Sequence, residues 1–428
     1  MNNEVQKDME QNNSQEINTN RRNWIAALII SLAYLAVMAN IQGFKALLPM
    51  VQEDFLISRA EAGLYSSFYF LSATLLAVFS GRIVDWLGAK KSLFLGTSLV
   101  GIIIMLHSFA PLFSFILIMA FLTGICFSVL TPAVSKGILL NVEPSRKGFF
   151  MGIAHSGGGI GAFAGASLLP VLGEIYDWRI ALLGGGFFAI LIGLFILKFH
   201  RESAPPEPEN ESTSGEDKTS SFKDDLLHFL KNRYLLSICS MGIVFGMSIS
   251  SITGHFSLYL TLDLGFTPAL AGLGLGIAHL GGVSGHPVWG IINEVFFKGD
   301  RRKGLRLLGA CIACLAIIFG LVISPFSLPF WLVLVFSFLL GFCTMGAMAL
   351  YFTSVGELVA PEHIGVVTGI ALIFTRIGVV IAPPVFGLVA DQTETYALSW
   401  ILLGIIVLIF TFAFNYFSKK YLPHKNTR

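Results

Sequence analysis

The sequence predicts an all-α integral membrane protein whose twelve transmembrane helices form two pseudo-symmetric six-helix bundles. Three observations carry that prediction: an apolar composition, a series of stretches of bilayer length, and an internal repeat. Charged residues make up 13% of the chain, against roughly 25% in soluble domains. The hydrophobic fraction is 54% and the mean hydropathy +0.75, more apolar surface than a water-soluble fold can hide. The net charge of +2 is spread over loops, so it does not mark a nucleic-acid surface. No metal cluster, Walker loop or nucleophile elbow is present, so neither an enzyme nor a cofactor is expected. Cys311 and Cys314 have redox spacing but sit inside an apolar run with no paired ligands, and read as packing residues.

The spans follow in order, each near the ~20 residues that cross a bilayer. The first, 24–48, follows Arg21-Arg22 without a small-residue cleavage site, so it reads as a retained anchor; the run is too long for a twin-arginine signal. Next come 61–84 and 92–109, then 113–139, the glycine-rich 148–172, and 179–199, which completes a bundle over residues 24–199. Residues 200–233, with Pro205, Pro206 and Pro208 in a Ser/Thr/Glu run, read as a cytoplasmic linker. The end of the linker, Ser221–Lys231, has an amphipathic pattern suited to the membrane surface. The second bundle, 234–418, holds spans 234–260, 268–295, 305–323, 330–356, 364–389 and 396–418. Residues 1–23 lack apolar periodicity and are expected to be a disordered cytoplasmic tail, with 419–428 a second cytoplasmic tail.

Twelve spans put both termini on one side. If that side is the cytoplasm, only Arg59 and Arg179 among the 28 basic residues fall in outer loops, while Lys45 and Arg376 lie within spans. That asymmetry satisfies the positive-inside rule and predicts a multi-pass protein of the plasma (inner) membrane with cytoplasmic termini. The six tryptophans lie near span ends, as interfacial belts require.

The repeat is the third observation. Asp54-x₃-Ser58-x₃-Ala62-Gly63-Leu64 returns 209 positions later as Asp263-x₃-Thr267-x₃-Ala271-Gly272-Leu273. Phe121-Leu122-x-Gly124-x-Cys126 returns after 217 positions as Phe338-Leu339-x-Gly341-x-Cys343. At the same offset, Gly148, Gly152 and Gly161 return as Gly365, Gly369 and Gly378. Two like halves in an apolar chain suit a carrier in which two bundles rock about one site.

Between the second and third spans stands Gly81-Arg82-Ile83-Val84-Asp85-Trp86-Leu87-Gly88-Ala89-Lys90-Lys91. It resembles the signature loop of the major facilitator superfamily, Gly-x₃-Asp-x₂-Gly-Arg-Lys/Arg: Gly81, Asp85, Gly88, Lys90 and Lys91 match, while Ala89 replaces an arginine. The second half carries a degraded copy, Gly290-Ile291-Ile292-Asn293-Glu294, with Arg301-Arg302-Lys303 after it. The resemblance covers about residues 24–418. It implies that Asp85 meets the start of the eleventh span and Glu294 the start of the fifth, locking the inner side in the outward-open state. A carboxylate there would face the free N–H groups and positive dipole end of a helix. The fifth span resembles the family's antiporter motif at Gly152, Gly161 and Gly165, but Ala166 and Leu169-Pro170 depart from it. Ala120 stands where many proton-coupled members have arginine. The coupling mode is therefore left open, with a co-transported proton or a counter-anion both admissible.

Substrate is read from polar residues within the spans. Arg376, near mid-depth, costs at least ~2.5–3.5 kcal/mol on insertion scales, so it is expected to face a wet cavity or an anion. Lys45, after Asn40 and Gln42 on the first span, either lines the cavity or snorkels outward. Lys136 reads as a positive-inside residue. His155, His279, His286 and His255 add protonatable groups, and the resemblance implies that the fifth and eighth spans adjoin, which would join His155 to His279 and His286. No mid-span carboxylate accompanies these cations. A cationic hollow suits a small organic anion or carboxylate, with Arg376, Lys45, Asn40, Gln42 and the four histidines as binding candidates. The competing reading is efflux of drugs or other neutral or cationic molecules through the same fold, favoured by Met241, Met247, Met345 and Met348 on the seventh and tenth spans. A transport-dead sensor would be expected to carry a large soluble domain. The expected partners are the substrate and the lipid bilayer, for a monomer without nucleic acid.

Overall fold

A computed structural model describes residues 2–143, 146–200, 229, 231–326, 328–360 and 363–421, with side chains beyond position 22 and not at 78. The twelve spans are helices α1 (Asn2–Ala46), α3 (Arg59–Leu87), α4 (Ala89–His107), α5 (Phe113–Asn141), α6 (Lys147–Ile175) and α7 (Trp178–Phe199) in the first half. The second half holds α8 (Arg233–Leu262), α9 (Pro268–Phe297), α10 (Arg301–Ile318), the broken pair α11 (Phe330–Thr344) and α12 (Ala347–Gly356), α13 (Ile364–Thr393) and α14 (Ala397–Lys420). A short α2 (Leu48–Phe55) follows α1, and a π-turn over Phe319–Ile323 extends α10.

Ten of these segments are long and apolar enough to cross a membrane by themselves, and the bent pair Arg59–Ala77 with Phe79–Leu87 counts as an eleventh. The twelfth, α9, has 30 residues, about 45 Å of helix. Its hydropathy is diluted by six glycines from Gly272 to Gly285 and by His279 and His286. Local chemistry sets the boundaries. Ser58 and Glu61 form a capping box at the start of α3, Thr267 caps α9 with Pro268 in its first turn, and Asn232 and Asp300 cap α8 and α10. Gly88, at φ 81°, makes the sharp corner between α3 and α4 that a β-carbon would strain.

The backbone of α1 is helical from Asn2, across the segment expected to be a disordered tail; residues 2–22 contain neither glycine nor proline to stop it. The apolar part begins at Asn23. Of the amphipathic stretch of the linker only Phe229 and Lys231 are among the described residues.

Packing repeats the sequence echo. In the first half α1 lies along α6, α3 along α5 and α4 along α7. In the second, α8 lies along α13, α9 along α11 and α10 along α14, the same three pairings six spans on. Between halves, α3 packs on α13 and α9 on α6, and the same operation exchanges these two seams. The repeated glycines are the contact points. A β-carbon on Gly124 would strike the Tyr69 carbonyl, and one on Gly341 the Ala278 carbonyl, the equivalent pair. Gly161 likewise seats on the Leu35 carbonyl and Gly378 on that of Ile243. Small residues allow such approach where lipid offers no hydrophobic drive between helices.

The outer wall is apolar: Phe188, Leu191 and Phe195 on α7 and Ile405, Ile409 and Phe412 on α14 are exposed. Trp86 and Trp331 are exposed near helix ends and Trp24 at the start of the apolar part of α1, as interfacial anchors would be. Trp178, Trp289 and Trp400 are buried instead; the Trp289 indole N–H donates to the Phe342 carbonyl at 3.0 Å. Proximity to a span end did not separate anchors from packing residues.

Candidate functional site

The two halves meet tightly at one end and part at the other. At the closed end, the Arg59 and Ala60 N–H groups at the start of α3 donate to the two carboxylate oxygens of Asp391 at 2.8 and 2.9 Å. The Arg59 guanidinium reaches the carbonyls of Ala390 and Glu394, lies 5.2 Å from the Tyr396 ring, and approaches Asp263 at 3.8 Å. Across the other seam, the Ala269 N–H in the first turn of α9 donates to Glu174 at 2.7 Å. The Ser67 hydroxyl donates to the Val380 carbonyl at 2.6 Å, and that of Ser257 to the Lys45 carbonyl at 3.0 Å.

At the opposite end, β-carbons built on Gly81, Gly148 and Gly152, or on Gly290, Gly365 and Gly369, would meet nothing within 4 Å. Among the described residues, neither cross-contact implied for Asp85 or Glu294 is found. Asp85 pairs at 2.8 Å with Lys136 of its own half, a partner that a simple positive-inside reading of Lys136 omits. Glu294 pairs with Arg301 at 2.7 Å, and Arg301 also forks onto Glu357 at 2.7 and 2.9 Å. Arg302 turns to Asp300, and Lys90 and Lys91 occupy the first turn of α4.

A cavity of about 860 Å³ fills the parted region. Tyr34, Met38 and Gln42 of α1 line it, with His155, Ser156 and the adjoining glycines of α6, and His279, Val283, Ser284, His286 and Pro287 of α9. None of its described lining residues is Asp or Glu. Three of the four predicted histidines therefore converge, because α6 and α9 form one of the two inter-half seams. His155 meets the Tyr34 ring edge-on at 5.5 Å. The Gln42 Oε1 and His279 Nε2 atoms are buried without a protein hydrogen-bond partner.

Deeper in the seam stand the two cations. Lys45 is fully buried, its ammonium 3.5 Å from the Thr253 hydroxyl and 4.7 Å from the centre of the Phe70 ring. The Arg376 guanidinium lies 5.6 Å from the same ring centre. The two charges are thus no further apart than those two ring distances laid end to end. Tyr34 and Tyr69 are the electrostatic neighbours of Arg376, and His279 feels Lys45. The buried Arg376 Nε has no hydrogen-bond partner, and neither cation has a carboxylate within ion-pair distance among the described residues. Lys45 does not snorkel.

Two candidates stand apart from this group. Asn40 turns to α7, its amide nitrogen donating to the Gly185 carbonyl at 3.0 Å and the Ala36 carbonyl at 2.9 Å. His255 is a packing residue: Nε2 lies 2.7 Å from the Pro383 carbonyl, which can only accept, so Nε2 carries a proton, while Nδ1 faces the Tyr396 hydroxyl at 3.1 Å. The aromatic residues Tyr34, Tyr69 and Phe70 escaped the sequence reading because only seam geometry separates them from other rings. Glu174 and Asp391 were legible: they are 217 positions apart, the offset already found in the same helices.

A family model described as Major Facilitator Superfamily matches residues 30–371 and 256–428. An uncharacterized transporter of Buchnera aphidicola subsp. Schizaphis graminum is 26% identical, over 68% of this chain and 67% of its own length. The Hexuronate transporter of Bacillus subtilis is 21% identical over 88% and 90%, and the Quinolone resistance protein of Staphylococcus aureus 21% identical over 76% and 79%. A solved structure of a bacterial homolog to the human lysosomal transporter Spinster, in an inward-facing and unoccupied conformation, superposes with a TM-score of 0.77. It is 15% identical and covers 94% of this chain and 97% of its own, a likeness of fold.

Proposed function

The chain belongs to the Major Facilitator Superfamily, a membrane transporter family, and from that premise we propose that it is a secondary carrier of small organic anions, probed most simply as carboxylates. It works by alternating access in the plasma (inner) membrane with both termini cytoplasmic. In that orientation the Asp85 end is cytoplasmic and the conformation is inward-open. Asp85 and Glu294 rest on partners in their own halves, Lys136 and Arg301, and are available to dock on the opposite half when the inner side closes.

One observation carries the substrate class: Lys45 and Arg376 both lie against the Phe70 ring at the seam, and no described carboxylate pairs with either. At an effective dielectric of 20, two cations at the greatest separation these distances allow repel by roughly 1.6 kcal/mol. An anion between them removes that repulsion and supplies an acceptor for the unpaired Arg376 Nε–H, which a cation cannot. A guanidinium grips a carboxylate through two parallel hydrogen bonds. The name of the Bacillus relative, a transporter of a sugar acid, is of the same class.

The competing reading, a lipophilic drug, draws on Met38, Val283 and Pro287 in the wall and on the Staphylococcus relative. The acid-free lining weighs against cationic drugs, which need a buried carboxylate. A thermal-shift panel separates the two: mono- and dicarboxylates raise the melting temperature of the purified protein and lipophilic cations leave it unchanged. The reverse pattern would replace the anion reading.

A further inference from the structure

The closed end is held by two carboxylates that the repeat relates to each other. Asp391, in the last turn of α13, receives the first N–H groups of α3; Glu174, in the last turn of α6, receives the Ala269 N–H in the first turn of α9. Asp391 follows Glu174 by 217 positions, and Ala269 follows Ala60 by 209, the two offsets of the internal echo. The contact is therefore one device present twice, once on each seam. The first N–H groups of a helix have no intrahelical acceptor and carry the positive end of its dipole, so a carboxylate from the opposite half is a matched partner.

We propose that Asp391 and Glu174 are positioning residues of the transport cycle: paired clamps that close the Arg59 end and must release before it opens. They mirror, at the other end, the docking implied for Asp85 and Glu294. The proposal rests on the alternating-access reading but not on the substrate.

The clamps are unequal. Asp391 takes two N–H donors, and the neighbouring Arg59 guanidinium adds bonds to Ala390 and Glu394. In the other copy Pro268 stands where Arg59 stands; it has no N–H and no charge, so Glu174 takes one donor and is exposed to solvent. The α3–α13 seam therefore holds harder than the α6–α9 seam.

The test is single-molecule distance measurement on full-length protein in lipid nanodiscs, with native cysteines replaced. One label pair at Leu56→Cys and Phe326→Cys reads the closed end, and one at Phe199→Cys and Tyr416→Cys reads the other. Losing cap bonds of this kind shifts an open-to-closed ratio by about 5–30-fold. Asp391→Asn therefore lengthens the first distance and shortens the second in a larger share of molecules, Glu174→Gln does so less, and the double variant most. Asp391→Glu restores the native distribution. A purely structural role would lower the melting temperature without moving the two distances in opposite senses. That outcome, or unchanged distributions in the double variant, would overturn the clamp. An immobile wild type under every ligand would instead count against alternating access itself.

Discussion

Replacing Arg376 by glutamine removes the guanidinium while keeping a polar side chain of similar length. The reasoning predicts two effects of opposite sign. In the ligand-free protein the buried cation has no carboxylate partner among the described residues and shares the Phe70 ring with Lys45, so its loss relieves roughly 1.6 kcal/mol or more of repulsion at an effective dielectric of 20. It also removes the desolvation cost of a charge at mid-depth, and the melting temperature of the apo protein rises. Binding changes in the other direction. A hydrogen bond to a charged group is worth about 1.5–3 kcal/mol, so carboxylate affinity falls by roughly 10- to 150-fold at 1.4 kcal/mol per decade. Wild-type protein at a hundred times Kd gains about 2.7 kcal/mol from ligand, of which the variant keeps only about 0.3–1.4 kcal/mol at the same concentration. Differential scanning fluorimetry reads the apo shift, and titration calorimetry with the best carboxylate of the panel reads affinity. A destabilised apo variant would reveal a structural ion pair, and affinity within twofold of wild type would remove Arg376 from the site. Either result refutes the argument.

Three further outcomes follow from the geometry. Asp85→Asn leaves folding stability within about 1 kcal/mol, because its pair with Lys136 is largely exposed; carboxylate uptake into proteoliposomes nevertheless slows, and unchanged uptake would remove its docking role. Gly124→Val drives side-chain atoms into the Tyr69 carbonyl and costs about 1–3 kcal/mol of stability, whereas Gly369→Ala meets open space inside α13 and raises stability by about 0.4–1 kcal/mol. Burial, opposed by hydrogen bonds from Thr395 and Tyr396 and by the Arg59 charge, lifts the Asp263 carboxyl above its usual 3.8. The folded state thus holds this proton more tightly than the unfolded state, so the group's contribution is favourable below about pH 3.8 and is lost as pH climbs through the raised folded value. Asp263→Asn removes that fall, seen as a flatter acid limb when wild-type and variant melting curves are subtracted.

The architecture was legible because span length and the positive flanks follow from bilayer physics acting on composition alone. The echo carried more: Gly124 with Gly341, and Gly161 with Gly378, mark the backbone contacts by which each half packs. Arg376 and Lys45 stood out because charges in a span demand an account. What the sequence withheld was direction around each helix. Asn40 and Gln42 are two residues apart on α1, yet one faces α7 and the other the cavity. His255 resembled His279 until the Pro383 carbonyl and Tyr396 hydroxyl accounted for both its nitrogens. Phe70 carries no chemical signal in a chain with 38 phenylalanines; its place beside two cations is a property of the seam.

The lipid-facing walls differ in length. With 22 and 24 residues, α7 and α14 extend about 33 and 36 Å, against a hydrocarbon thickness of about 30 Å. Lying wholly within that thickness requires them to lean by about 25° and 34°. A thicker leaflet pair draws both upright and a thinner one tips them further, at a fraction of a kcal/mol for each ångström of mismatch. Because the two walls belong to different halves, the host membrane loads the halves unequally, and its thickness becomes a mechanical setting on how readily they rock.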